Sequence, residues 1–293
     1  FNGTNNFPKQ ELVIFLESTV MLFGADVNSN TSFERTYYLL TIPLDTADLL
    51  DKGFQVLEDW MHNVSFDAEE IDKERKVIME EWRVYQGAQM RVMREHFPVI
   101  LKGSKYAERL PIGDTSVIKN APRQRFLDFY NDWYRPELMA IMAVGDFDKK
   151  EIEAKIKKQF SRIKPAKNPP ERKDYKIPSQ GKPLVSVAKD EELPQSSIVL
   201  YFKHPMSERG TYGAYKNSIK KQLFSQMLTQ RLQELTREAE PPFIYGAGRI
   251  SPFLSDLEAF NMIAIPQSNN IMKGTEAVMV ETFRALQHGF VKT

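Results

Sequence analysis

The chain has 293 residues, enough for about two domains that each bury a core, and its 42% hydrophobic content is that of an ordinary globular protein. Forty basic residues against thirty-nine acidic ones leave a net charge of +1, which gives no electrostatic reason to expect a nucleic-acid partner or an anionic membrane surface. The absence of cysteine excludes disulfides and thiolate metal sites and leaves cytosol and periplasm both open.

In chain order, residues 9–22 read as a helix, and Ala25 to Pro43 alternates like two strands joined by the polar stretch Asn28-Ser29-Asn30-Thr31-Ser32. Asp45 to His62 is an amphipathic helix opened by polar capping residues. A loop at Ser65-Phe66-Asp67 leads into a further helix, with Asp67 as its N-cap. Pro122 to Trp133 is helical, Leu138 to Val144 reads as a buried strand, and Gly145-Asp146-Phe147-Asp148 turns the chain into a helix from Lys149 to Phe160. Leu138–Val144 is also the longest apolar run, far too short to cross a bilayer, so no membrane span is expected. Five prolines among several lysines between Lys164 and Pro183 mark a linker. The expected organisation is therefore a first domain over 1–163, a linker over 164–183 and a second domain over 184–293.

The helix after Asp67 carries the least conventional pattern. At about 100° per residue, Ile71, Glu74, Ile78, Glu81 and Tyr85 fall along one side, with Glu74 and Glu81 about 10 Å apart, two turns along the axis. Glu80 points elsewhere, into solvent. A carboxylate on an apolar stripe calls for a cation, because an unpaired buried charge is costly. Helix spacing alone leaves two partners open: a Lys or Arg in a structural ion pair, the simpler one, or a metal ion.

The second part echoes the first. Phe23-Gly24-Ala25 matches Tyr245-Gly246-Ala247, Ile42-Pro43 matches Ile265-Pro266, Lys52-Gly53 matches Lys273-Gly274 and Phe66 matches Phe290, all at an offset of about 222 residues. In this register Thr293 falls opposite Glu69 or Glu70, and a helix expected from Tyr215 to Ala239 corresponds to sequence that would mostly precede Phe1. The chain, which opens on Phe1 with no signal-like segment, is thus expected to be an excised piece with both repeats cut. Gly246-Ala247-Gly248 is too short for a nucleotide fingerprint and reads as strand punctuation.

Several ordered blocks resemble the pitrilysin and insulinase family of zinc peptidases, M16. They are Phe1-Asn2-Gly3-Thr4-Asn5-Asn6-Phe7-Pro8, Gly24 to Ser32, Lys73 to Glu81, Tyr106 to Gly113, Tyr134-Arg135-Pro136 and Val144-Gly145-Asp146-Phe147. The resemblance implies an α+β fold of two homologous domains, each a mainly antiparallel sheet with helices on one face, both truncated here. It implies Zn2+ as cofactor, held by an inverted His-x-x-Glu-His motif and by a glutamate from a later helix. That glutamate falls on Glu81, and the family's supporting acidic residue falls on Glu74. Asn28 lies in the block that forms the edge strand to which substrate peptide adds. The Arg109-to-Gly113 loop is as compatible with a structural role as with a place near the cleft. Opposite Asn28 the second repeat has Arg249 or Ile250, so that copy is expected to be a wall of the peptide chamber.

His62, His96, His204 and His288 are the only histidines, and none belongs to an inverted motif. The resemblance places that motif just before Phe1, so the isolated chain is expected to be inactive and to bind zinc weakly or not at all. The expected parent is a zinc metalloendopeptidase acting on extended peptides enclosed with a second homologous half, from the same chain or a partner. The alternative is a non-catalytic structural or processing-complex subunit. A bacterial periplasm or cell envelope is the expected location, with the cytoplasm also possible.

Overall fold

A computed structural model describes residues 3–19, 21, 22, 24–44, 47–254, 256–267 and 270–290. Phe1 and Asn2 of the first block, Phe23 of the repeat, the capping positions Asp45 and Thr46, and Thr293 lie outside the described residues. In chain order the elements are α1 Glu11–Ser18, β1 Val27–Thr31, β2 Thr36–Leu40, α2 Ala47–His62, α3 Ala68–Val84, α4 Ala88–Ile100, α5 Thr115–Asn120, α6 Arg123–Trp133, α7 Lys149–Phe160, β3 Ile198–Pro205, α8 Tyr212–Leu235, β4 Phe243–Leu254, β5 Leu257–Pro266 and α9 Ile271–His288. They form two compact units: residues 1–87 with 103–174, and residues 88–102 with 175–293.

In the first unit β1 and β2 form an antiparallel pair in which Val27 faces Leu40 and Asn28 faces Leu39. The inner sides of α1 and α2 supply Leu12, Leu16, Val56 and Trp60, which pack with Met21 and Val27, and Tyr38 and Leu40 of β2 close over them. Asp59 on α2 is fully buried. Its carboxylate accepts from the Thr4 hydroxyl at 2.5 Å, the Asn6 backbone N–H at 3.1 Å, the Asn6 amide at 2.7 Å and the Asn63 amide at 2.9 Å. One charge thereby fixes the Thr4–Asn6 segment against α2. The preceding residue, Glu58, pairs with Arg162, two residues past the end of α7, at 2.5 Å, and Lys155 of α7 reaches Asp51 at 2.6 Å, so two ion pairs tie α7 and the residues just after it to α2.

The Asp67 carboxylate caps α3 as expected, accepting from the N–H groups of Glu69 at 2.9 Å and Glu70 at 3.3 Å. Arg75 projects from the covered side of α3, donates to the carbonyls of Ile118 and Ala121, and lies over the Phe126 ring. Leu138 to Val144 does not form the buried strand expected of it. Residues 136–138 are a short 3-10 turn and residues 139–144 have no strand partner among the described residues. Met142 and Val144 are accordingly 74% and 97% exposed. An apolar run specifies a strand only where a neighbouring backbone takes its hydrogen bonds.

In the second unit the sheet order is β3-β5-β4, antiparallel throughout. Leu228 and Leu232 of α8 and Val278 and Ala285 of α9 pack on Phe243, Met262 and Ala264 of the sheet. Gly248 allows that close approach: a Cβ there would stand 2.4 Å from Cδ2 of Leu228, while the Thr229 hydroxyl reaches the Gly248 carbonyl at 3.2 Å. The repeat read in the sequence reappears as the same succession, an antiparallel pair followed by a helix, in β1-β2-α2 and β4-β5-α9.

Candidate functional site on the third helix and the first strand

The third helix has a covered side, where Ile71, Arg75, Ile78 and Trp82 are half-buried, and an open side. Glu74 and Glu81 stand on the open side with the exposed apolar residues Val77, Val84 and Tyr85. The expectation of two carboxylates sunk in a covered stripe is therefore corrected: the isoleucines turn towards the unit and the glutamates face solvent, because no described element packs over that side. Glu80 points elsewhere, as expected, and pairs with Arg83 at 2.8 Å in the open. Glu74 and Glu81 make no ion pair or side-chain hydrogen bond that the described residues supply. What remains is an apolar, doubly acidic face without a covering partner.

Could these groups hold zinc by themselves? A structural or catalytic zinc takes three or four protein ligands. Among the described residues no group of three or more His, Asp or Glu side chains is placed to hold a metal ion. Three of the four histidines are engaged elsewhere: His62 with Glu58 at 3.3 Å, His96 with the Ser186 hydroxyl at 2.8 Å and His204 with Glu258 at 3.5 Å. Glu81 and Glu74 thus suit part of a metal shell and do not complete one, and no catalytic step follows through a metal from this chain's residues alone.

Asn28 lies on β1, whose residues Asn28 to Thr31 are exposed and whose edge opposite β2 carries no strand among the described residues. Its amide donates to the Gly24 carbonyl at 3.0 Å, and its Oδ1 accepts from the Ser29 N–H at 2.8 Å. The side chain is thus held locally while the free edge offers backbone groups to an extended peptide. Tyr106, which opens the block ending at Gly113, is buried and meets Phe33 of the β1–β2 turn edge-on at 5.4 Å. This anchors the start of the loop beside that turn. A cavity of about 160 Å³ lined by His62, Tyr130, Tyr134, Arg135 and Lys164 includes no residue of α3 or β1. Around it, burial pushes the hydroxyls of Tyr130 and Tyr134 above the usual tyrosine value. Asp59 was missed in the sequence, since a single Asp in an amphipathic helix resembles any solvated charge. The clustered donors Thr4, Asn6 and Asn63 were the available signal.

The family description "Insulinase (Peptidase family M16)" matches residues 1–109, and "Peptidase M16 inactive domain" matches residues 120–292. The chain belongs to the M16 peptidase family. It is 33% identical over 241 residues to a protein of Haemophilus influenzae named probable zinc protease PqqL, covering 82% of this chain and 26% of that one. The Escherichia coli protein of the same name is 29% identical over 99% of this chain and 31% of its own length. The crystal structure of the first half of that periplasmic protease superposes with a TM-score of 0.87 at 28% identity, over 99% of this chain and 62% of that one. The chain thus spans about a quarter to a third of the length of these curated relatives.

Proposed function

We propose that the protein to which this chain belongs is a zinc-dependent endopeptidase of the pitrilysin and insulinase type, which hydrolyses extended peptides. The observation that carries this reading is the open face of α3. In a chain of the M16 family, two carboxylates about two turns apart on an exposed apolar face have a use when a dication is delivered to that face. Glu81 is the proposed metal ligand and Glu74 the group that supports it. Zinc, when bound, would polarise the scissile carbonyl and make a water nucleophilic near neutral pH. The free edge of β1 aligns substrate as an added strand, and Asn28 orients the peptide group nearest the metal.

The remaining ligands and a second homologous half come from outside these residues, so the chain alone is inactive. The bacterial periplasm is the proposed compartment, following the E. coli relative's description as a periplasmic protease. Among the described residues no helix is long and apolar enough to cross a membrane.

The test is made on the full-length protein, by zinc content and by chelator-sensitive cleavage of a quenched peptide. Glu81→Gln is expected to lose both bound zinc and cleavage, and Glu74→Gln to lose cleavage with a smaller loss of zinc. Wild-type zinc content and activity in Glu81→Gln would remove the ligand assignment.

A further inference from the structure

The cavity of about 160 Å³ in the first unit lies where the end of α2, the last turn of α6 and the chain after α7 meet. Tyr130, Tyr134, Pro136, Ile163 and Ala166 supply its apolar lining. The two tyrosine hydroxyls are engaged within the fold: Tyr130 donates to the Trp60 carbonyl at 2.7 Å, and Tyr134 meets the Tyr38 hydroxyl at 2.5 Å. The charged lining is of one sign. Arg135 and Lys164 border the cavity, and among the described residues no carboxylate does.

Arg135 is only 6% exposed. Its Nη2 donates to the Pro170 carbonyl at 3.0 Å and its Nη1 stands 3.5 Å from Glu137, but its buried Nε–H has no acceptor among the described residues. A buried donor on a charged group is costly to leave unpaired. Lys164 is exposed and forms no ion pair with the described residues. The segment that carries it, residues 161–173, holds five basic residues and one acidic one. Two nearby carboxylates oppose an anion, yet Glu58 is tied to Arg162 at 2.5 Å and Glu137 is exposed to solvent that screens it. The C-terminal ends of α2 and α6 also oppose it, each with about half a negative charge, together less than Arg135 and Lys164 supply.

We propose that this cavity binds a small organic carboxylate whose apolar body is about the size of a benzene ring. A cavity of about 150 Å³ is known to take benzene, so the space suits such a body. The carboxylate accepts from Arg135 Nε and pairs with Lys164 on the solvent side, and the body lies against Pro136, Ile163 and Ala166. Water would satisfy the Nε–H but would use neither the apolar lining nor the second cation. A free acid and the last residue of a peptide offer the same chemistry, and the experiment separates them. The site shares no residue with α3 or β1, so it stands apart from the zinc reading.

The experiment titrates sodium benzoate into the intact chain by calorimetry, with benzamide, inorganic phosphate and N-acetylphenylalanine as comparisons. The expected result is saturable, one-to-one binding of benzoate, with benzamide and phosphate each about tenfold weaker or worse, since one lacks the charge and the other the apolar body. Lys164→Gln should weaken benzoate about threefold, and Ala166→Leu, which fills the cavity, should abolish its binding. Neither position is buried, so the thermal transition stays in place in both variants. Arg135→Gln should abolish binding as well, and if that variant does not fold the other two decide. With benzoate bound as expected, N-acetylphenylalanine binding as tightly supports a peptide end as the ligand, and its failure to bind supports a free acid. Equal affinity for benzamide or phosphate overturns the proposal, as does the absence of benzoate binding. So does benzoate binding that Lys164→Gln and Ala166→Leu leave unchanged.

Discussion

Replacing Asp59 by alanine tests whether the Thr4–Asn6 segment depends on one buried charge. The carboxylate is wholly buried and accepts four hydrogen bonds, from Thr4, Asn6 (twice) and Asn63. Hydrogen bonds to a charged group contribute about 1.5–3 kcal/mol each, and the desolvation of the carboxylate, several kcal/mol, is recovered when it is removed. The remainder is a loss of about 3–5 kcal/mol, with the buried Thr4 O–H left without its acceptor while its oxygen still accepts from the Phe7 N–H, a large share of a typical 5–15 kcal/mol stability. Asp59→Asn keeps the shape and turns one acceptor into a donor aimed at donors, so its loss is smaller, about 2–3 kcal/mol. All three tryptophans, Trp60, Trp82 and Trp133, lie in the first unit, so urea unfolding followed by tryptophan fluorescence reports that unit alone. A change below about 1 kcal/mol for Asp59→Ala would refute the claim that this charge organises the segment.

Two further outcomes concern the second unit. Gly248→Ala drives a methyl group into Leu228 and should cost about 1–3 kcal/mol, read as faster hydrogen exchange in β4 and α8; unchanged protection would mean that α8 is free to shift. Glu258 is nearly buried, and burial alone would raise its pKa, yet the Lys221 and Ser207 hydrogen bonds hold it below the usual glutamate value. Its folded pKa being the lower one, its stabilisation is complete above the ordinary glutamate range and is lost as pH falls through the folded value. Acid unfolding of Glu258→Gln should show a shallower pH dependence in that window, and an identical slope would sink the assignment.

The elements that announce themselves locally were legible. Asp67 as a cap, the alternation through β1 and β2, and the periodicity of α2, α3, α6 and α7 each follow from a few adjacent residues. What the sequence could not state is which side of an element finds a neighbour. Ile71 and Ile78 share a helix stripe with Glu74 and Glu81, but packing divides that stripe, partly covering both isoleucines and leaving both glutamates exposed. Leu138–Val144 has the composition of a core strand and finds no partner strand among the described residues, a fact that no local pattern carries. Helix α4 escaped notice because Pro98 sits inside it and reads as a breaker. The roles proposed for Glu74, Glu81 and Asn28 rest on the resemblance of ordered blocks to a family, and the family itself is shown by the matches over residues 1–109 and 120–292.

The bare segment from Met139 to Val144 bears on how the chain reaches its folded state. Its exposed Met142 and Val144 side chains, and a backbone with no strand partner among the described residues, are adhesive towards any other extended segment. Folding is first order in chain, whereas sticking through such a segment is second order, so the two processes compete on dilution. Refolding yield then falls with protein concentration even if every other residue folds correctly, and a short strand-forming peptide laid against these residues would act as a folding aid.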